Sequence, residues 1–426
     1  MSTSLSVKKR LYLFTNGFPR LPQEEPFIAP ELRSLEDVFD INLIAVMPSN
    51  NREFDNTPGD MKGRTSSSLL YEMPEITSAN ASRLIVDAFR AVFSRVMIRE
   101  LIDLVSDGFS ARRLIDSLKM AIVAKDFQRF CRKHSVFDDY KDAIYYSFWF
   151  TLPLLALSFE KREKPKMKVV ARAHGYDLFN ERQPNLRQPF QRAMKDMCDN
   201  IFFISEHGRS YFSTTFGPEK KPGQYIVNRL GVGSQRCSLA NWPAREERLI
   251  VSCSNLIPLK RVRLIAEALE KLNRPDIRWI HFGDGDEFPE LRGYCESNHL
   301  RAMLFGYASN SEILAFYSRH PVTCFITTSS TEGLPVSIME AESFGIPVIA
   351  TDVGGISEMV DGNGVLLSSN PTVDEVADAI GLICSLSQGE WEQLSRHSHT
   401  IWREKYDVDR NKQALKVEMM RLMNRR

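Results

Sequence analysis

Residues 329–355 read SSTEGLPVSIMEAESFGIPVIATDVGG and follow the apolar run VTCFITTS at 322–329. That run reads as a buried strand. Pro335 suits the first position of a helix, where a missing N–H costs nothing. Gly345 suits the position just past that helix, and Pro347 marks the stop. Glu332, Gly333 and Leu334 then form the turn between strand and helix. Free N–H groups at such a turn, together with the helix dipole, make an anion site suited to a phosphate. Gly333 lets a ligand approach the backbone closely. Glu332 sits in the turn and Glu340 in the helix. Carboxylates accept hydrogen bonds from paired hydroxyls, which a sugar and a ribose both offer. Two surface carboxylates near a helix start are the plainer reading of the same residues.

Outward from this stretch the alternation is regular. RLIVSCS (248–254), IRWIHFG (277–283), AMLFGY (302–307) and PVIATD (347–352) read as further strands. KRVRLIAEALEKL (260–272), EFPELRGYCES (287–297), NSEILAFYSR (310–319, capped by Ser309 or Asn310) and PVSIMEAESF (335–344) read as helices, and GGISEMV (354–360) as a short one. Strand alternating with helix implies a parallel sheet covered on both faces. The first half repeats the pattern through RLYLFT (10–15), INLIAV (41–46), AIYYSFWF (143–150), KVVARAH (168–174), NIFFIS (200–205) and QYIVNRL (224–230). Between about Asn51 and Asn80 the chain is polar and turn-rich, as in a long loop. Residues 81–135 form a basic, amphipathic helical region. The pattern breaks between Gly231 and Arg245, and Val408–Arg426 reads as one amphipathic helix. The expected layout is a Rossmann-like acceptor domain at 1–235, a Rossmann-like donor domain at 246–405, and a helix at 406–426 returning to the first domain. A length of 426 residues suits two cores. Ligands of open parallel sheets bind outside the carboxyl ends of the strands.

The segment resembles the signature of family 4 retaining glycosyltransferases: a Glu, seven residues, a second Glu, a small–Gly–x–Pro–Val strand and a Gly-Gly turn. The matching residues are Glu332, Glu340, Gly345–Val348, Thr351-Asp352 and Gly354-Gly355. Glu358 matches the acid after the glycine pair, and GNGVLL (362–367) the closing strand. HFGDGDEFPEL (281–291) and LFGYASNSEILAFYSRH (304–320) resemble the family's Gly-Asp-Gly turn and its next strand and helix. The likeness is dense from Leu249 to Leu367 and sparse before it. It implies an α/β GT-B fold, two Rossmann-like doubly wound domains facing across a cleft. It also implies an enzyme that moves a hexosyl group, with retention, from a nucleotide diphosphate sugar to an acceptor hydroxyl. The implied substrates are a UDP- or GDP-sugar and a saccharide or lipid-linked saccharide, with no permanent cofactor and no metal. The implied setting is bacterial surface polysaccharide synthesis.

The family places an Arg and a Lys after the first strand of the C-terminal domain, to hold the diphosphate. In SNLIPLKRVRL (254–264) Lys260 matches the Lys, Asn255 stands at the Arg position, and Arg261 is the neighbouring cation. The resemblance assigns Glu332 to the donor sugar, Glu340 to the ribose, Gly333, Leu334 and Pro335 to the phosphate turn, and backbone groups near 254–256 and 305–307 to the base. Gly283-Asp284-Gly285-Asp286 superficially suggests a metal pair, but it joins a strand to a helix and lacks a calcium loop's twelfth-position Glu; it reads as a tight turn. In the first half, Gly17 in the loop after the first strand is the candidate for close approach to the diphosphate. Glu24, Glu25 and Phe27 are candidates for the acceptor side. His174, at the end of KVVARAH, is the candidate active-site histidine, with Arg172 and Asp177 beside it. Ser205 and Glu206 end the next strand, and Arg229 near the break could reach a phosphate.

A formal net charge of +1 gives no global field toward nucleic acid. The seven cysteines are scattered without metal-ligand spacing, as expected of free thiols in a reducing compartment. The apolar run LYLF is too short for a signal-peptide core, and Tyr145–Leu157, broken by Pro153, is too short for a membrane span. The expectation is a cytosolic protein. Arg112, Arg113, Lys119, Lys125, Arg129, Arg132 and Lys133 lie within 81–135 among apolar residues, a pattern able to rest peripherally on an anionic membrane face; a solvated face on a core helix is the commoner cause of it. The alternatives to transfer are a GT-B epimerase or hydrolase of nucleotide sugars and a non-catalytic GT-B-like binding subunit. No Gly-x-Gly-x-x-Gly follows the first strand, which argues against a dinucleotide oxidoreductase.

Overall fold

The computed structural model describes residues 8–18, 25–47, 67–74, 81–234 and 247–425, with the backbone alone at 25–27, 67, 81 and 82. The chain divides into two compact units, Met1–Asn228 with Lys412–Arg426, and Arg229–Asn411.

The first unit runs β1 (Lys9–Thr15), α1 (Glu25–Leu35), β2 (Phe39–Met47), β3 (Ser67–Glu72), α2 (Ala81–Val92), α3 (Arg95–Ser106), α4 (Ala111–Lys133), β4 (Ala143–Ser147), α5 (Leu152–Glu163), β5 (Lys168–Ala173), α6 (Gln191–Met197), β6 (Asn200–Phe203), α7 (Glu206–Phe216) and β7 (Tyr225–Val227). Its strands form one parallel sheet in the order β3-β2-β1-β4-β5-β6-β7. Both faces are apolar because helices cover both. Tyr12 and Phe14 of β1 point to the core shared with α4 and α5, whereas Leu11 and Leu13 point to the core shared with α1.

The second unit runs β8 (Arg248–Cys253), α8 (Arg263–Leu272), β9 (Ile277–Phe282), α9 (Phe288–Ser297), β10 (Ala302–Gly306), α10 (Asn310–Arg319), β11 (Val322–Thr327), α11 (Val336–Ser343), β12 (Val348–Thr351), β13 (Gly364–Leu367), α12 (Val373–Ser385) and α13 (Gln388–Ile401). Its parallel sheet has the order β10-β9-β8-β11-β12-β13. Ser309 caps α10 in a reciprocal capping box with Glu312. The last helix, α14 (Val408–Asn424), buries Leu415, Met419 and Leu422 in the α1-side core of the first unit.

Several expectations need correction. Ser67–Glu72, inside the expected long loop, is a strand that extends the sheet beside β2, and 51–66 and 75–80 lie outside the described residues. Alternation in SSLLYE is brief and only Tyr71 is deeply buried, so the sequence signal was weak. Pro335 is one position outside α11, with extended backbone, rather than its first residue. Within 354–360 only Ile356–Glu358 turns, as one short 3-10 turn. Two basic residues of α4 face carboxylates: Arg129 bonds Asp87 and Asp126, and Arg132 bonds Glu160 and Glu163. No helix among the described residues is long and apolar enough to cross a membrane.

Arg172 is also corrected. Read from sequence as a second choice beside His174, its side chain is buried on the α1 face of β5. There it meets Glu31 at 2.6 Å, the Tyr146 hydroxyl at 2.9 Å and Asn228 at 2.6 and 2.8 Å. A buried cation whose partner is removed is strongly destabilising, whereas replacing both partners by apolar groups need not be. Urea denaturation of Glu31→Ala should show a loss of about 3–5 kcal/mol, with most of it recovered in Glu31→Leu/Arg172→Met. An unchanged midpoint in Glu31→Ala would refute the anchoring role.

Candidate functional site

In the second unit the chain runs outward from β8 through β9 to β10, then returns to place β11 on the other side of β8. The loops after β8 and β11 therefore diverge at the topological switch point, where open parallel sheets leave a crevice. Lys260 stands in the first loop and Glu332 in the second. Lys260 Nζ donates to Glu332 Oε1 at 2.5 Å, and both side chains are largely buried. The N–H groups of Glu332, Gly333 and Leu334 have no partner among the described residues. A cation, a carboxylate and free backbone donors thus converge at the start of α11, a combination suited to a phosphate beside a polyol.

The two loops are stitched by polar contacts. The Ser330 N–H donates to Leu259 O at 2.8 Å, and Thr328 Oγ1 donates to the carbonyls of Lys260 and Arg261 at 3.2 and 3.0 Å. Arg261, in left-handed backbone, donates to Thr328 O, Ser329 O, Ser369 O and Asn370 Oδ1. Its guanidinium is thus occupied in joining loops, not presented to a diphosphate. Asn255 is exposed. Backbone packs on backbone at the next turn: a Cβ on Gly354 would stand 1.8 Å from Glu332 O, so only glycine allows that approach.

Glu340 lies on α11 and is almost fully buried. It accepts from Asn310 Nδ2 at the start of α10. Burial pushes its carboxyl up to about 7, against a smaller lowering by Asn310. Tyr317, whose hydroxyl is buried without a partner among the described residues, feels the same charge.

The Gly-Asp-Gly turn is structural. A Cβ on Gly283 would come within 1.8 Å of Ser254 O. The N–H groups of Ser254 and Leu256 donate to Phe282 O and Asp284 O, so the 254–256 backbone expected to read a base is largely engaged inside the fold. Beneath it, Trp279 Nε1 donates to Ser252 Oγ, Ser252 Oγ meets His281 Nδ1 at 2.8 Å, and His281 Nε2 meets Ser254 O. Burial holds His281 down to about 4, which keeps it neutral. Phe305 and Tyr307 are exposed. No group of three potential metal ligands occurs among the described residues. Arg229 donates to Glu358 Oε2 at 2.7 Å, and Lys405 to Glu358 O at 2.8 Å.

In the first unit the switch point lies between β1 and β4. Gly17 is in the loop after β1 with φ 136, in the region that favours glycine, and Thr151 Oγ1 meets the neighbouring Asn16 Oδ1 at 3.3 Å. His174 follows β5 and packs its ring on Trp149, 4.3 Å between centroids, and on Phe148. Neither ring nitrogen of His174 has a hydrogen-bond partner among the described residues. Asp177 is spent on the backbone, accepting from the N–H groups of His174 and Phe150 at 2.8 and 2.7 Å. Ser205 caps α7 through Gly208 N, and Glu206 pairs with Arg209. Glu24 and the side chains of Glu25 and Phe27 lie outside the described residues. Sequence reasoning passed over Asn310 and Trp149. Asn310 looked like a helix start only, and Trp149 followed an apolar strand whose end was misjudged by three residues.

Residues 240–396 match the family described as glycosyl transferases group 1. The O-antigen biosynthesis glycosyltransferase WbnH of Escherichia coli is 30% identical over 150 residues, 34% of this chain and 40% of that protein. The GDP-mannose-dependent alpha-(1-6)-phosphatidylinositol monomannoside mannosyltransferase of Mycobacterium tuberculosis is 28% identical over 252 residues, 54% of this chain and 65% of its own length. The chain therefore spans less than two thirds of these curated relatives. The Anabaena HepE structure, solved with UDP, superposes with a TM-score of 0.66 over 97% of this chain and 99% of that one, at 15% identity, a likeness of fold. The likeness to the glycosyl transferases group 1 family lies in residues 240–396, and the two parallel-sheet units have the GT-B fold.

Proposed function

We propose that this protein transfers a hexosyl group from a nucleotide diphosphate sugar to an acceptor hydroxyl with retention at the anomeric carbon, in bacterial surface polysaccharide synthesis on the cytoplasmic side of a membrane. The observation that carries the reading is the convergence of Lys260, Glu332 and three unpartnered N–H groups at the switch point of the second sheet. Lys260 and those N–H groups receive the diphosphate, and charge building on the leaving β-phosphate is what they stabilise. Glu332 accepts from sugar hydroxyls. Glu340 accepts from the ribose diol. The bond from the anomeric carbon to the β-phosphate oxygen breaks, the bond to the acceptor oxygen forms, and the acceptor proton passes to a diphosphate oxygen. His174, buried against Trp149, supports transfer from the first unit. The reading rests on no bound metal.

One observation favours a binding subunit instead: Asn255 is neutral and Arg261 is occupied by loop carbonyls, so the two positions add no free cation to Lys260. The two readings separate on turnover. With an oligosaccharide acceptor, Lys260→Ala should lower kcat/KM by roughly a hundredfold or more. A parent protein that binds nucleotide yet releases no nucleoside diphosphate with any acceptor would support the binding subunit.

Melting temperature is the first measurement, in the presence of UDP, GDP or ADP and their common sugar conjugates. A ligand held only by the folded state raises it by mass action. One nucleotide should give a clear shift, and Glu340→Ala should abolish it; no shift with any of them would count against the donor site.

Glu340 also sets a pH dependence. Its carboxyl is raised in the folded chain, so its contribution favours folding below the ordinary glutamate range and is lost as pH rises through about 7. Urea midpoints of the parent should fall between about pH 5 and about pH 8 by more than those of Glu340→Gln. Nucleotide affinity should move oppositely, tightening as Glu340 ionises, because only the carboxylate accepts from both ribose hydroxyls. Equal pH slopes in parent and variant would remove Glu340 from both roles.

A further inference from the structure

The start of α10 reads Ser309-Asn310-Ser311-Glu312. Ser309 and Glu312 close the helix end on each other: Ser309 Oγ accepts from Glu312 N, and the Glu312 carboxylate accepts from Ser309 N at 2.7 Å. Asparagine favours such a cap position. Here it stands one residue inside, where the cap is already made, so its side chain has no part in ending the helix. Asn310 Nδ2 instead donates to Glu340 Oε1 on α11. Only the NH2 edge of the amide suits this contact, since the amide oxygen would face the carboxylate acceptor to acceptor.

Glu340 is 6% exposed, and its side chain makes no other hydrogen bond among the described residues. The ionisable groups around it are the Cys253 thiol at the end of β8 and the Tyr317 hydroxyl on α10. Burial raises both first, and the Glu340 charge adds to it. Neither is a cation, and Lys260 is held by Glu332 at 2.5 Å. Burial raises the Glu340 carboxyl to about 7, and the Asn310 bond is the opposing influence. One amide on a neighbouring helix is thus what favours a charged carboxylate at this buried position. Pinning one oxygen also fixes the plane of the carboxylate.

We propose that Asn310 is a positioning residue of the donor site: by holding one oxygen of Glu340 it sets the carboxylate for a ribose diol, and so selects ribonucleotides over 2′-deoxyribonucleotides. This role rests on the donor-site reading, in which Glu340 accepts from the ribose. A carboxylate can accept from both hydroxyls, whereas a protonated carboxyl has spent part of that capacity on its own O–H. A ligand without the 2′-hydroxyl leaves a buried acceptor unmatched, which costs affinity.

Calorimetric titration of the full chain with UDP, GDP and their 2′-deoxy counterparts, between about pH 6 and about pH 9, tests this. The ribonucleotide that the parent binds should bind roughly tenfold more tightly than its 2′-deoxy form. Asn310→Ala should erase most of that preference. It should also move the rise of affinity to higher pH, since Glu340 loses the bond that favours its charge. Asn310→Asp should do both more strongly, because a like charge beside Glu340 retains its proton. An acid in the first turn suits the helix dipole, so the melting temperature of ligand-free Asn310→Asp should not fall. A residue that served only the helix would leave preference and pH profile unmoved. If Asn310→Ala lowers the melting temperature, Asn310→Asp decides. Variants that match the parent in preference and pH profile overturn the role of Asn310 and leave the donor site standing, as does a parent that binds ribo- and deoxyribonucleotides equally. A parent that binds none of these nucleotides overturns the donor site and this role with it.

Discussion

Backbone lying directly on backbone at the carboxyl edge of the second sheet is the constraint from which the candidate donor site follows. At Gly283 and Gly354 a single added carbon would stand 1.8 Å from the carbonyl oxygens of Ser254 and Glu332. Those two carbonyls belong to the loops after β8 and β11, which the sheet order separates at the switch point. The glycines therefore fix how closely each loop is held from outside, and the Arg261 and Thr328 bonds fix how closely the loops are held to each other. Lys260 and Glu332 can meet at 2.5 Å because neither loop has freedom to spread. In an unliganded site that ion pair also protects both charges from being left half-buried and alone. On the proposed reading, an entering phosphate would compete for the lysine and an entering hydroxyl for the carboxylate, so the pair holds both groups in place ahead of a ligand.

The first unit reaches a comparable edge by different means. Its loops after β1 and β4 diverge at its own switch point, with Gly17 in the first of them. Phe148 and Trp149 leave β4 and close over His174 at the end of β5. Both imidazole nitrogens are buried without a hydrogen bond among the described residues; Asp177 Oδ2 stands 3.6 Å from Nδ1, and its carboxylate accepts from backbone N–H groups. A buried polar group left unmatched is costly in a fold that needs it only for stability. On the proposed reading, a ligand at the carboxyl end of β5 would supply the hydrogen bond that the ring lacks.

How much of this was legible in the residues varies with how far apart the partners lie. The run from Ser329 to Gly355 is local: strand, turn, helix and stop follow one another, and the structure shifts boundaries by a residue or two, Pro335 standing one step before the helix. Lys260 was found through its place after a strand. Asn310 was not found as the partner of Glu340, because thirty residues separate them and only the fold brings the start of α10 against α11. Arg172 could have been read better. Val170 and Arg172 share one face of β5 by the period of two, and Val170 belongs to the α1-side core, so the guanidinium was committed to that face and away from the strand end. Arg261 could not have been read at all, since its direction depends on a left-handed backbone that no local residue pattern announces. The hairpin of α2 and α3 shows the same limit. Its periodicity was visible as amphipathic helix, but periodicity does not say which face is inward; the buried acids of α3 and their arginine partners from a distant segment decide that.

Glu340 joins these threads. A carboxyl buried without a cationic partner, held up to about 7, loses part of its stabilising value once the chain is at neutral pH. A fold seeking stability alone would place an amide or an apolar residue there, as Asn310 would bond an amide oxygen equally well. What the carboxylate adds is the capacity to accept two hydroxyl donors at once, at a position where Asn310 already occupies one oxygen and the buried Tyr317 hydroxyl stands near. That cost comes from burying the carboxyl without a cationic partner, and the hydroxyl donors of a diol would offset it. Stability traded for a poised acceptor is the expected mark of a binding site, and here the trade lies on the helix that follows the turn whose N–H groups at Glu332–Leu334 have no partner among the described residues.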